Sequence, residues 1–202
     1  MMSDLKAIIE KDEQIMYEGR PNKACFIFEC IFNPMLPFAL VWAIFDFTIL
    51  SVAIDEIPDN LVFMLLSFFA FHLLPVWIYL GGVVLSIRKY KNTAYIVTDR
   101  AIYISDGAFS KSLTRKSFAE LSNIHMHRGI FDQWFKVGDV IATSGQLTEK
   151  GRTAAAKICN ISEYLEVYNL VKKLQTDIYT DVMYPNALRP DENPGYKTKY
   201  KG

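Results

Sequence analysis

The chain has 202 residues, no net formal charge and a mean hydropathy of +0.12. Hydrophobic residues make up 51% and charged residues 22%, which excludes a disordered chain and a basic protein that coats nucleic acid. Charge is nevertheless polarised along the chain. Residues 24–87 contain five acidic and no basic residues, whereas residues 88–202 contain 18 basic and 12 acidic ones. The three cysteines, Cys25, Cys30 and Cys159, have the spacing of neither a disulfide framework nor a zinc motif.

The first segment, residues 1–23, is slightly acidic and has no signal-peptide pattern, so we interpret it as a cytoplasmic leader. Residues 24–32 (ACFIFECIF) are too short to span a bilayer and end at Asn33-Pro34. They form either a short helix at the lipid interface or an early start of the first span, broken at Pro34 and Pro37. The sequence leaves both alternatives open.

Two long apolar runs follow, at about residues 37–54 and 61–87. As helices they would be roughly 27 Å and 40 Å long, against a hydrocarbon core of about 30 Å. The second run must therefore tilt, kink at Pro75 or project beyond the lipid. Helices buried in a soluble core are the alternative, but two such runs in tandem disfavour it. We therefore predict that residues 24–87 form a membrane region with a two-helix transmembrane hairpin.

The charges that flank these runs predict the topology. Asp55, Glu56 and Asp59 lie in the turn between the runs, and Arg88, Lys89 and Lys91 follow the second run directly. The positive-inside rule then places both termini in the cytoplasm. We expect the three basic residues to lie at the membrane surface, near anionic lipid headgroups.

From residue 93 the pattern changes to short β-rich runs separated by turn signals, such as Asp106-Gly107. The expected strands are 93–98, 101–105, 112–118, 123–127, 140–144 and 154–159. A helix is expected at 162–178, because Asn160 and Glu163 resemble a capping box. Residues 183–202 have few apolar positions and are expected to form a disordered tail. The expected core includes Tyr95, Val97, Ile102, Ile104, Val140, Leu165 and Tyr168.

This order of elements resembles the bacterial pleckstrin-homology (PH) domain of the membrane-flanked type. The resemblance lies in Tyr95 to Gly107 (strand, TDR, strand, DG), in FAELSNI from Phe118, in FKVGDV from Phe135 and in EQIMYEGRP from Glu13. It covers about residues 10–178 and departs from the family pattern in the loop Gly145–Thr153 and in FIFECIF. It implies a seven-stranded β-sandwich, spanning residues 88–182 here, with one end closed by the C-terminal helix at the inner membrane face. It implies no catalytic residue.

The other residues that could bind a metal ion or act as nucleophiles do not form a recognisable site in the sequence. His125 and His127 share one face of a predicted strand, but a metal ion needs further ligands, for which only Cys159 and Asp132 are candidates. Exposed strand histidines are the better interpretation. Because no serine or cysteine lies in an activating motif, we expect neither an enzyme nor a cofactor.

Asp46 and His72 lie inside the apolar runs, at estimated depths of about 12 Å and 16 Å from the acidic turn. An ionisable side chain in a span normally faces a partner or a water-filled cavity. We therefore predict that the two face each other. Their contact is either a proton or ion relay or a structural hydrogen bond, and we favour the second.

These observations predict an α+β membrane protein with a transmembrane hairpin followed by a PH-like β-sandwich with a C-terminal helix. Its expected role is to present a binding or assembly module at the cytoplasmic face of a bacterial inner membrane, as a multi-pass protein. The expected partners are the bilayer and either an unknown membrane protein or a second copy of the chain. The alternative is a small transport or proton-handling protein that uses Asp46 and His72.

Overall fold

The computed structural model describes residues 2–147 and 153–183. The chain divides into two compact units. The first combines the residues up to Phe26 with those from Lys89 onward, and the second comprises Ile27–Arg88. The second unit is therefore an insertion, in sequence, within the first.

Seven α-helices are described: α1 Met2–Ala7, α2 Lys23–Ile31, α3 Met35–Glu56, α4 Asp59–His72, α5 Leu74–Asn92, α6 Ile130–Phe135 and α7 Tyr164–Met183. Seven strands are described: β1 Ile15–Gly19, β2 Ala94–Thr98, β3 Ala101–Asp106, β4 Ser112–Ser117, β5 Leu121–His127, β6 Gly138–Leu147 and β7 Thr153–Ile161. A single 3-10 turn, Phe118–Glu120, joins β4 to β5.

The strands form two antiparallel sheets, ordered β1-β2-β3-β4 and β5-β6-β7. Their inner faces share one hydrophobic core, to which the first sheet contributes Tyr95 and Val97 and the second contributes Val140 and Ile158. This arrangement is the PH-like sandwich that the resemblance implies. Each of the six predicted strands is found within a few residues of its expected bounds.

The leader contributes the remaining strand. β1 pairs with β2, with Gly19 opposite Tyr95 and Tyr17 opposite Val97. Upstream, α1 places Leu5 in a second cluster on the outer face of the same sheet, against Ile96 and Tyr103. Both faces of β2 are thus covered, and all five of its residues are buried. The folded domain therefore extends beyond residues 88–182 to include the segment that the sequence suggests is a separate leader.

A buried carboxylate further fixes the leader to the sheet. Glu13 accepts hydrogen bonds from the Thr98 hydroxyl (2.6 Å) and the Tyr103 hydroxyl (3.0 Å). Arg115 donates to the same carboxylate at 3.1 Å. These bonds satisfy polar groups that would be costly to bury without partners.

The predicted C-terminal helix is present as α7, but one of its expected core residues is not buried. Val167, Val171, Leu174 and Ile178 pack into the core. Leu165, expected in the core, is 53% exposed, so that prediction is wrong. Positions 167, 171, 174 and 178 follow the helical spacing, and Leu165 lies two residues, about 200°, from Val167. Of the other expected core residues, Ile104 and Tyr168 are partly buried and pack against the core.

The second unit consists of apolar helices. α3 is long and apolar enough over Met35–Ile54 to span a membrane, and α4 and α5 meet this criterion only as a pair. The kink expected in the second run is present, since α4 and α5 are bent by 53° at their break. The two-helix transmembrane hairpin stays a prediction, because the pair counts as a span only if both helices belong to one. The break follows His72, and Pro75 explains it, because proline lacks the amide hydrogen that a continuous helix would use.

The residues before α3 form a separate short helix, α2, and α3 begins only after Pro34. A break at this position fits both alternatives for residues 24–32, the interfacial helix and the early, broken start of the first span, so both stay predictions. The predicted disordered tail lies outside the described residues from Tyr184 onward, and Met183 is the last residue of α7.

Candidate functional site

The structure brings Asp46 of α3 and His72 of α4 together. His72 Nδ1 lies 2.8 Å from Asp46 Oδ1 and 3.0 Å from Oδ2. The Asp46 side chain is only 1% exposed, so other residues cover almost all of its surface.

Aromatic residues surround the histidine. The Trp42 ring stacks on the imidazole at 5.2 Å, and the Phe68 ring stacks on it at 5.4 Å. The Trp42 indole also donates to the His72 backbone carbonyl at 3.0 Å. That carbonyl lies at the break between α4 and α5, so the indole supplies a donor where the helix ladder ends. This arrangement can hold α3 against the end of α4, and it also contains a pair of groups that can exchange a proton.

The three basic residues predicted for the membrane surface lie near the C-terminal end of α5. The side chains of Arg88, Lys89 and Lys91 are all exposed. Positive charge is favourable at this position because the C-terminal end of a helix carries partial negative charge.

Lys89 also lines a cavity of about 200 Å³ in the sandwich unit. Its walls carry two cations and one anion, Lys89, Lys157 and Asp106, and its other lining residues are Phe26, Thr93, Tyr95, Ile104 and Cys159. Lys157 forms an ion pair with Asp139 at 2.9 Å. Burial lowers the pKa of Lys157, but the adjacent Cys159 and Asp139 outweigh this effect and raise it overall. The lysine therefore remains charged, and Asp139 balances its charge.

The two chain connections of the sandwich unit to the apolar helices lie together. The Phe26 and Tyr90 rings are in contact, with centroids 5.8 Å apart. Asn92 donates to the Gly107 carbonyl in the β3–β4 turn at 3.0 Å. We call this end of the sandwich, defined by Cys25, Phe26, Tyr90 and Asn92, the proximal end.

A buried polar cluster fixes the start of α2 at the proximal end. Asn22 caps the helix by accepting from the Cys25 amide at 3.1 Å. The Cys25 thiol contacts Asp132 of α6 at 3.6 Å, and the Asn160 side chain donates to the Cys25 sulfur at 3.2 Å. Asn160 has a left-handed backbone (φ 53°), a conformation that asparagine adopts more readily than most residues.

The candidate metal ligands do not assemble around the two strand histidines. His125 and His127 are exposed on β5, whereas Asp132 belongs to the buried cluster at Cys25. Cys159 lines the cavity. Within residues 2–147 and 153–183, no group of three possible ligands includes either histidine.

Sequence reasoning missed Lys157 and Asp106 as cavity residues and Cys25 and Asn160 as a connected pair. Cys25 and Asn160 are 135 positions apart in the chain, and no local pattern links them. The left-handed asparagine at the end of β7 is the only one of these features with a sequence signal, since asparagine before a helix is typical of a cap or turn.

The profile of the bacterial PH domain matches residues 35–175. The chain belongs to the bacterial PH domain family. No curated protein and no solved structure matches it. The match begins at the start of α3, so in this bacterial PH domain protein the strand β1 lies upstream of the matched region. The cavity and the proximal end belong to the PH-like domain, and the Asp46–His72 pair belongs to the helical insertion within it.

Proposed function

We propose that this protein is anchored in the bacterial inner membrane by its helical insertion and presents its PH-like domain at the cytoplasmic surface as a binding or assembly module. The observation that carries the proposal is the composition of the insertion. Its helices expose large apolar side chains on many sides, among them Val41, Ile44, Phe63, Phe71 and Ile78. Such helices would be unfavourable in water but suit lipid.

The basic residues support the same orientation. Arg88, Lys89 and Lys91 follow the apolar segment, and each can contribute about 1 kcal/mol near an anionic leaflet. This contribution biases how the domain rests on the bilayer, while the helices anchor it. The short helix α2 contains two phenylalanines and precedes the first long apolar helix in sequence, and it suits the lipid interface. The module's partner is then a membrane protein or a second copy of the chain.

Cysteine labelling tests the topology. In whole cells, Asn60→Cys is expected to react with a membrane-impermeant maleimide, whereas Ser110→Cys reacts only after the inner membrane is permeabilised. Ser110 is exposed and lies in the β3–β4 turn, in which Gly107 is unsuitable for a cysteine. Gly107 has φ +126°, and a Cβ there would lie 1.8 Å from the Ser110 carbonyl oxygen. The wild-type chain, with its three native cysteines, gives the background. Labelling of position 110 but not 60 in intact cells contradicts the proposed topology.

The second candidate function, proton handling, is favoured by the contact between Asp46 and His72. We infer that the pair is mainly structural, and two substitutions separate the alternatives. Asp46→Asn keeps an acceptor for His72 but cannot take a proton, whereas Asp46→Leu removes both capacities. For a structural pair, Asp46→Leu should lower the free energy of unfolding in bicelles by about 0.6–2 kcal/mol, and Asp46→Asn by less. Proton flux into proteoliposomes should be equally low for the wild type and both variants. A flux that the wild type supports and Asp46→Asn abolishes would favour the relay.

A further inference from the structure

The PH-like domain has three unusually exposed large apolar side chains among its described residues. Phe109 is 79% exposed, Ile130 is 72% exposed and Trp134 is 69% exposed, and the next most exposed is Tyr179 at 56%. Phe109 lies in the β3–β4 turn, and the other two lie on α6. We call these three residues the apolar rim. Exposed aromatic and aliphatic side chains of this size mark an interaction surface when they occur together.

All three residues of the apolar rim lie at the proximal end. The β3–β4 turn is held there because Asn92, at the end of α5, donates to Gly107, two residues before Phe109. α6 is held there by Asp132, which contacts Cys25 just before the chain leaves the domain. The three most exposed large apolar side chains of the described part of the domain therefore lie at the end where its two chain connections leave it.

The geometry of α6 keeps its apolar face outward. Asp132 contacts Cys25 and also accepts from the Gly129 amide at 2.7 Å, so this side of the helix faces the buried cluster. Ile130 and Trp134 are four residues apart and share a face, and each lies about 200° around the helix from Asp132. The same bonds that attach α6 to the domain thus direct Ile130 and Trp134 away from it.

The opposite end of the domain has a different composition. There the turn between β2 and β3 carries Arg100, which forms ion pairs with Asp12 (2.9 Å) and Glu10 (3.8 Å) of the leader. The 3-10 turn is attached to this end through the bond from Phe118 N to the Arg100 carbonyl. This end, which we call the distal end, carries ion-paired charges, whereas the proximal end combines the exposed side chains of the apolar rim with exposed lysines.

We propose that the apolar rim inserts into the headgroup region of the bilayer that holds the helical insertion, and so fixes the orientation of the PH-like domain on the membrane. Tryptophan favours this region because its ring is apolar and its N–H is polar. Exposed Lys23, Lys89 and Lys91 at the same end complement an anionic headgroup layer. The occupant of the rim is lipid, and this inference rests on the proposed function.

The test measures whether Trp134 contacts lipid in the full chain. Trp134 is the only tryptophan outside the helical insertion, since the other two are Trp42 and Trp77. The difference in fluorescence between the wild type and Trp134→Phe therefore isolates its signal. In nanodiscs containing brominated phospholipid this signal should lose most of its intensity, and aqueous acrylamide should quench it weakly. The matched control adds Tyr179→Trp to Trp134→Phe. Tyr179 is also exposed, and it lies beside the 3-10 turn at the distal end. The new tryptophan should respond to acrylamide and not to brominated lipid.

Three results would overturn the inference. A Trp134 signal that acrylamide quenches and brominated lipid does not would place the residue in water. A signal that neither quenches would indicate cover by protein, such as a second copy. Equal quenching of the tryptophans at 134 and 179 by brominated lipid would show that lipid contact is not confined to the apolar rim. Alkaline carbonate extraction of membranes tests the proposed membrane anchor independently of the apolar rim. A chain extracted from membranes contradicts the anchor itself, whereas a retained chain with unquenched Trp134 contradicts only the rim.

Discussion

Replacing Leu5 with alanine is expected to lower the free energy of unfolding of the PH-like domain by about 2–5 kcal/mol. Leu5 is fully buried and packs with Ile96 and Tyr103 on the outer face of the first sheet. Its truncation would leave a cavity between α1 and that sheet. Hydrogen exchange of the amides in β2 and β3, measured by mass spectrometry on the full chain in detergent micelles, reports the change at the strands concerned.

The matched control is Ile8→Ala, one turn further along the leader. Ile8 is 41% exposed, so its truncation should change the free energy of unfolding by less than about 0.5 kcal/mol. Equal and small effects of the two substitutions would contradict the packing of α1 on the first sheet.

The second large effect is expected for Leu174→Ala in α7, again about 2–5 kcal/mol. Leu174 is completely buried in the core shared by the two sheets and α7. Chemical denaturation followed by near-ultraviolet circular dichroism should show a lower midpoint with an unchanged slope, because the change removes contacts without altering the surface that unfolding exposes.

Leu165→Ala is the control on the same helix, with the same chemical change. Because Leu165 is 53% exposed, its truncation should have an effect below about 0.5 kcal/mol. A large effect at Leu165 with a small one at Leu174 would contradict the orientation of α7 in this structure.

The leader also affects how the domain can be isolated. A fragment of residues 88–182 lacks β1, Leu5 and Glu13, so its first sheet would have an unpaired edge at β2 and an uncovered outer face. A fragment that joins residues 1–26 to those from Lys89 onward follows the boundaries of the compact unit instead.

Much of the architecture is determined by local features of the sequence. The six strands after residue 93 follow from β-rich runs and turn residues, which act over a few positions. The helical character of residues 37–54 and 61–87 follows from length and composition. The contact of Asp46 with His72 also follows from sequence, because two ionisable groups at similar depth in neighbouring apolar helices each lack any other obvious partner.

Other features required the tertiary structure, because they depend on residues far apart in the chain. β1 has no strong strand pattern of its own and is defined by pairing with β2, about 80 residues later. The buried face of α7 depends on where the helix meets the two sheets, and a shift of two residues moves Leu165 from the core to the surface. The cavity beside Lys89 and the apolar rim likewise arise only when the β3–β4 turn, α6 and the two chain connections meet at one end of the sandwich. Sequence periodicity determines which face of an element is apolar, but long-range packing alone decides which element covers it.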